Sequence, residues 1–364
     1  MGQLNIGVVG CGDAAQRVYL PEFHRIKEKA LLVAVCDRVE ERAVAVRTRF
    51  GAKASYTDLN RFLRESDAHI VLNLTPHREH ASVSLAALEA GKHVYTEKPM
   101  AQSLDDATRL IEAASVKGVK LACAPLTLLL PAMRRWQQLL GEGAIGRPTF
   151  ARAQALAEPL WEGFSPDHAW YFAAGNGPLM DMGVYALTAL TGLFGPALRV
   201  SAISGTVLRE RMIGDGPFAG TRIRTEVDDS VHLHLDWGGL FGTLDISWCV
   251  RASRNEILEV YGDAGTLSGD PITANAPIHL FRPGCPWTVE EHPQGLPHSD
   301  SWIQGAAHLI DCVAHDVEPV NNAIHARHVL DIMLTAARSA KEGRTLALQT
   351  TFPSPTGAPW VRGR

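Results

Sequence analysis

The stretch Leu4-Asn5-Ile6-Gly7-Val8-Val9-Gly10-Cys11-Gly12-Asp13-Ala14-Ala15 constrains the fold more than any other part of this 364-residue chain. A short apolar run that reads as a strand ends in GxGxxA, and Gln16 to Ile26 follows in a pattern that suits a helix. The first glycine permits a tight turn, the second lets backbone approach a pyrophosphate, and the small sixth position lets helix pack close to strand. Placement after a strand and before a helix separates a dinucleotide fingerprint from a chance pair of glycines. Gly10, Gly12, Asp13, Ala14 and Ala15 are therefore candidate cofactor contacts.

A second apolar run, Leu31 to Cys36, ends at Asp37, 27 residues beyond Gly10. A carboxylate at that distance meets the adenosine ribose hydroxyls and repels a 2′-phosphate, which favours NAD. Arg38 next to it offsets part of that charge, so NADP stays open. Helical patterns at Glu40 to Phe50, Asp58 to Glu65 (opened by Thr57), Glu79 to Ala90 and Ser103 to Lys117 then alternate with strand patterns at His69 to Leu74, His93 to Tyr95 and Val119 to Cys123. Repeated βα units imply a doubly wound parallel sheet, an α/β Rossmann domain over residues 1–124. Thr75 and Pro76 close the third strand and His80 lies just beyond, so all three are expected beside the cofactor. The His77/His80 spacing also suits a metal, but no neighbouring Cys or carboxylate completes a ligand set.

After Cys123 the rhythm changes. Leu129 to Leu140 reads as a helix, and Thr149 to Ala157, Ser201 to Leu208, Ser230 to Trp237, Gly242 to Val250 and Ile257 to Val260 alternate with a period of two. That pattern predicts a large, mostly antiparallel open sheet in an α+β domain over residues 125–364. Trp237-Gly238-Gly239-Leu240 reads as a hairpin turn. Two late helices, Ser301 to His315 and Ala326 to Glu342, precede a Pro-rich tail from Pro353.

Composition excludes several classes of protein. A formal charge of −4 gives no basic field for nucleic acid or an anionic membrane. No apolar run approaches the ~20 residues that span a bilayer. Met1 to Asn5 lacks the basic and apolar regions of a leader. Six cysteines without a CxxC pair read as reduced core thiols in a cytoplasmic protein.

Two motifs carry the chemistry. Glu97-Lys98-Pro99 follows the strand at His93 to Tyr95, and ligands bind at the carboxyl ends of such strands. Pro99 stiffens the segment and biases Lys98 toward an extended conformation. If Pro178 opens a helix, Asp181 and Tyr185 are four apart and share a face, which suits holding and moving a substrate proton. The aromatic and polar segment Trp161 to Phe172, with Asp167, His168 and Trp170, suits a polyhydroxylated ring. Glu226, Asp228 and Asp229 read as a solvated strand end. His232 and His234 share a strand face, too few groups for a metal site.

Taken together, GxGxxA, Glu97-Lys98-Pro99 and G-x-G-P-L-x-D-x-G-x-Y over Gly175 to Tyr185 resemble the Gfo/Idh/MocA oxidoreductases, named for glucose-fructose oxidoreductase, inositol dehydrogenase and a rhizopine-catabolism protein. The resemblance runs along nearly the whole chain and includes Ala87 to Val94, Gly143 to Pro148 and Glu259 to Leu267. It implies an NAD(P)-dependent dehydrogenase or reductase acting on a secondary alcohol or ketone of a sugar, cyclitol or glycoside. It also implies a homodimer or homotetramer formed through the C-terminal sheet. Against the family's usual pattern at this junction, Leu126 to Pro131 is more apolar, which points to a glycoside or an apolar substituent on the substrate. Carried over, the residues lining the nicotinamide are Lys98, Asp181 and Tyr185, with Glu97 among the cofactor contacts and Tyr185 standing where many members have His. Tyr185 would serve as acid/base with its pKa, ordinarily near ~10, lowered by the Lys98 ammonium. Lys98 would stabilise the alkoxide and Asp181 would orient the hydroxyl. Which of Lys98 and Tyr185 finally carries the proton stays open. The alternatives are a redox-neutral NAD-dependent glycosidase and a non-enzymatic cofactor-binding regulator.

Overall fold

The computed structural model describes residues 2–160, 166–291 and 301–353. They fall into two compact units, Met1–Leu129 with Ser299–Leu330, and Leu130–His298 with Asp331–Arg364.

In the first unit, β1 (Leu4–Val9), β2 (Ala30–Cys36), β3 (Ala54–Tyr56), β4 (Ile70–Asn73), β5 (His93–Thr96) and β6 (Leu121–Cys123) make one parallel sheet in the order 3-2-1-4-5-6. The central strands are apolar without alternation because both faces are covered. Connecting helices are α1 (Glu40–Phe50), α2 (Leu59–Glu65), α3 (His80–Glu89) and α4 (Leu104–Lys117). Their ends follow local chemistry. Ser103 accepts the Asp106 N–H at 3.1 Å and Gly118 closes α4 in the left-handed region. Asp58, not Thr57, caps α2 by accepting the Arg61 N–H at 2.7 Å.

Residues 14–26 are helical, but not as one regular α-helix. A π-helical turn over Ala14–Tyr19 runs into a 3-10 stretch over Leu20–Ile26. Pro21 has no N–H to continue the ladder, which accounts for the change of winding there. A further helix, Ile303–His315, buries Ile303, Ala306, Leu309 and Ile310 in one core with Ile6, Tyr19, Ile26 and Tyr95. Residues 301–330 thus pack with the parallel sheet, although the sequence places them within 125–364. Nothing local in the sequence reveals this return.

The second unit opens with α5 (Pro131–Gly141) and contains α6 (Val184–Phe194). Its strands are β7 (Pro148–Leu156), β8 (Arg199–Gly205), β9 (Glu210–Met212), β10 (Arg222–Arg224), β11 (Ser230–Asp236), β12 (Phe241–Ser247), β13 (Leu258–Gly262), β14 (Thr266–Gly269), β15 (Ile278–Phe281), β16 (Thr288–Glu290) and β17 (Leu346–Ala347). Nine of them form a sheet in the order 16-15-14-13-7-12-11-8-17, antiparallel except for the β7–β12 pair. Strands β9 and β10 make a separate hairpin. In β11 and β12 one side is buried, while His232, His234 and Phe241 face outward. The expected turn is present: Trp237 N–H donates to the Leu240 carbonyl, with Gly238 at φ 82°.

Two expectations fail here. Asp229 is not solvated: it is fully buried and ion-paired with buried Arg211 at 2.7 Å, while Glu226 and Asp228 are exposed. The apolar run after Cys123 is spent on packing, with Leu126, Leu128 and Leu130 all buried. It is therefore no evidence for an apolar substrate group.

Candidate active site

The order 3-2-1-4-5-6 reverses direction between β1 and β4, and the crevice beyond their carboxyl ends is where such sheets bind ligands. Gly10 ends β1 with φ 92°, and a Cβ there would lie 2.7 Å from the Leu74 carbonyl group and the Thr75 nitrogen. The backbone can pass this close to the β4 loop only without a side chain. A Cβ on Gly12 would meet nothing within 4 Å, leaving open space beside the loop. Asp13 and Ala14 start the following turn at the surface, and buried Ala15 packs beneath it. Beyond β2, one oxygen of Asp37 accepts the Cys11 N–H at 2.8 Å and the other accepts the Val39 N–H at 2.9 Å. The carboxylate is thus held against the glycine loop, and Arg38 beside it is exposed. This close-packed, open-sided loop with an acid at its flank fits NAD.

The β4 and β5 loops are tied together behind this edge. Asn73 accepts the Thr75 hydroxyl at 2.6 Å and donates to the His80 carbonyl and the Ser84 hydroxyl, both at 2.9 Å. Thr75 is half-buried and Pro76 exposed. His80 is buried, with Nδ1 2.7 Å from the Pro99 carbonyl and Nε2 2.8 Å from the Thr75 carbonyl. Burial lowers its pKa, and the two carbonyls pull the other way. Glu97 is also buried; it accepts the Tyr19 hydroxyl at 2.5 Å and the Lys98 N–H at 2.9 Å. Burial first, and then the Glu97 charge, raise the Tyr19 pKa. Glu97 and His80, read as cofactor contacts in the sequence, have these side-chain atoms bonded to protein. Lys98 is half-buried at the end of β5, and its peptide bond to Pro99 is cis.

In the second unit Pro178 precedes a π-helical turn, Leu179–Gly183, that continues into α6. Asp181 lies in the turn and Tyr185 just after it, both half-buried. A Cβ on Gly183 would be 2.8 Å from the end of Ile246 on β12, so this glycine lets the turn sit down on the sheet. His168 and Trp170 lie in the 3-10 turn Pro166–Phe172. Trp170, 40% exposed, stacks on Tyr171 at 4.0 Å between ring centroids, and His168 meets Tyr171 edge-on. Residues Trp161 to Ser165 and the Asp167 side chain lie outside the described part.

Sequence reasoning overlooked Tyr19 and Arg211. Tyr19 sits nine residues after Gly10 on an apolar face and reads there as ordinary core. Arg211 lies on a strand of three residues, too short for a period-two signal. Among the described residues, no three or more His, Cys, Asp or Glu side chains are grouped to hold a metal ion. His77 meets His80 edge-on, and His232 bonds Asp245 across the β11–β12 pair at 2.7 Å.

The strand order, the glycine loop and the acid after β2 define a dinucleotide-binding Rossmann domain followed by a mostly antiparallel sheet domain. Sequence profiles agree: the oxidoreductase family with an NAD-binding Rossmann fold matches residues 4–124, and the GFO/IDH/MocA C-terminal domain matches 133–268. The chain is 33% identical over 278 residues to a dTDP-3,4-didehydro-2,6-dideoxy-alpha-D-glucose 3-reductase of Streptomyces violaceoruber, covering 72% of this chain and 79% of that one. It is 28% identical over 288 residues to levoglucosan dehydrogenase of Pseudarthrobacter phenanthrenivorans, 73% of each chain. Among solved structures, levoglucosan dehydrogenase in complex with NADH and L-sorbose superposes with a TM-score of 0.83 at 20% identity, over 96% of this chain and 99% of that one. The chain belongs to the Gfo/Idh/MocA family and is an NAD(P)-dependent oxidoreductase.

Proposed function

We propose that this enzyme transfers a hydride between NAD and a secondary alcohol or ketone on a sugar or cyclitol ring. The observation that carries the reading is the set of groups at one edge of the parallel sheet: Gly10, Asp37, Thr75 and Lys98 follow β1, β2, β4 and β5. Gly10, Gly12 and Asp13 to Ala15 would hold the pyrophosphate, Asp37 the ribose hydroxyls, and Thr75 with Pro76 the nicotinamide side. Bound nicotinamide supplies the hydride acceptor or donor. Lys98 stabilises the negative charge that grows on the substrate oxygen. Tyr185 exchanges the hydroxyl proton, and Asp181 orients the reacting group. His168 and Trp170 offer a hydrogen-bonding group and a ring face to the rest of the sugar. The two named relatives both act on sugar derivatives, which supports this substrate class. NAD is favoured over NADP because the Asp37 carboxylate would repel a 2′-phosphate.

The outward face of the nine-stranded sheet exposes Ile203 at 77% and Phe241 at 57%, and we assign it to self-association as a dimer or tetramer. Buried, unpaired thiols at Cys11, Cys36, Cys123 and Cys312 fit a reducing, cytoplasmic setting.

The test is a panel of sugars, cyclitols and glycosides offered with NAD and with NADP, following absorbance of the reduced nicotinamide. Net NADH formation is expected on at least one cyclic polyol. Lys98→Ala and Tyr185→Phe should keep NAD binding and lose turnover. Parental activity in both variants, or aglycone release without net NADH, would overturn the assignment.

A further inference from the structure

We propose that Tyr19 and His80 are positioning residues for Lys98, acting through hydrogen bonds to the residue on either side of it. The inference rests on the role given to Lys98 above. On one flank the Tyr19 hydroxyl holds one oxygen of Glu97, and the other oxygen accepts the N–H of Lys98 itself. On the other flank the His80 ring faces the Pro99 carbonyl through Nδ1 and the Thr75 carbonyl through Nε2. Tyr19 is 0% exposed, Glu97 7% and His80 2%, so water does not replace any of these partners when one is lost.

The origins of the two ties matter. Tyr19 ends the π-helical turn that follows the glycine loop, and Thr75 heads the loop after β4. These are the two loops assigned to the dinucleotide, and each reaches one neighbour of the lysine, the first through Tyr19 to Glu97 and the second through His80 to Pro99. A cation on a long, flexible stem acts on a developing charge only if its backbone is placed beforehand. A neutral imidazole donates through one nitrogen only, so the two carbonyls facing His80 are not equivalent partners at any moment. The tie that serves Lys98 is the one to Pro99. The tie to Thr75 serves the cofactor loop.

Side-chain geometry separates the two. In His80→Asn the amide nitrogen takes roughly the place of Nδ1 and keeps a donor for Pro99. In His80→Gln the longer amide reaches toward the place of Nε2 and Thr75. Tyr19→Phe removes the hydroxyl and nothing else. The experiment measures NAD affinity by titration, kcat and KM on the substrate found in the panel, and thermal melting, for these three variants alone and combined with Lys98→Ala. Tyr19→Phe and His80→Gln should lose about tenfold to a hundredfold in kcat with NAD affinity kept within about threefold. His80→Asn should recover most of that kcat. In the Lys98→Ala background neither Tyr19→Phe nor His80→Gln should lower the residual rate further, because their effect runs through the lysine.

Parental kcat in folded Tyr19→Phe and His80→Gln would overturn the proposal, as would a further fall on top of Lys98→Ala. A shift in melting temperature alone, with kcat unchanged, would mark the bonds as merely structural and also overturn it. If Lys98→Ala itself keeps parental turnover, the reading of the active site fails instead, and the single variants show which has failed.

Discussion

Asp229→Asn should cost the second unit more stability than any surface change. The Asp229 carboxylate is fully buried and accepts the N–H groups of Val207 and Leu208 at 2.7 and 2.9 Å and the Arg211 guanidinium at 2.7 Å. Arg211, its side chain 2% exposed, also donates to the Trp248 carbonyl and lies over the Phe172 ring. Removing the anion strands a cation with no route to water, a loss of about 3–5 kcal/mol. For a unit of this size each kcal/mol moves the melting temperature by about 2–4 °C, so the expected drop is about 6–20 °C. Burial alone would raise the Asp229 pKa; the backbone donors and Arg211 outweigh it and hold the pKa below the ordinary value. A folded pKa below the unfolded one, near ~3.9, adds stability above that range and loses it as pH falls through the folded value. The gap between parent and variant should therefore be full at pH 7 and shrink as the pH approaches 3. Scanning calorimetry across that range measures it. Replacing the pair together by Asp229→Asn and Arg211→Met should restore part of the loss. A variant melting within about 2 °C of the parent at pH 7 would refute the argument that this pair is a buried, uncompensated-charge problem.

Gly10→Ala forces a Cβ into the backbone of Leu74 and Thr75 at φ 92°, and should weaken NAD binding at least about tenfold in a fluorescence titration while the second unit melts normally. Asp37→Ala frees the Cys11 N–H and removes the repulsive charge, so the ratio of kcat/KM for NAD to that for NADP should fall by about tenfold or more. Gly305→Ala places a Cβ 2.3 Å from the Tyr95 hydroxyl in the core of the first unit, and should lower the urea midpoint by the equivalent of about 1–3 kcal/mol.

The first unit was legible because its signals are local. Glycines, caps and unbroken apolar strands each declare themselves within a few residues, as Ser103 and Gly118 do at the two ends of α4. The second unit was legible where its strands are long and half-exposed, as in β11 and β12. It was not legible where strands are short: β9, β10 and β14 to β16 run three or four residues, two periods of alternation at most. Asp229 was misread for a related reason. Beside exposed Glu226 and Asp228 it looks like part of an acidic, solvated run, and only the approach of Arg211 from eighteen residues earlier shows that it is buried. Leu126 to Leu130 shows the converse, since hydrophobicity alone does not separate a lining from a core.

Two π-helical turns, Ala14–Tyr19 and Leu179–Gly183, occupy the places where sequence motifs put the cofactor and the catalytic acid. A π turn takes in one residue more than an α turn, so side chains beyond it are rotated by roughly 100° from where α periodicity puts them. The four positions from Asp181 to Tyr185 cross from the wide turn into regular α winding, Asp181 lying inside the turn and Tyr185 past it. Tyr19 is the last residue of the other turn, and its hydroxyl reaches Glu97. Shortening either turn by one residue should abolish turnover even if the helix after it keeps its packing. Such a deletion leaves every motif residue in the chain and changes only the direction in which one of them points.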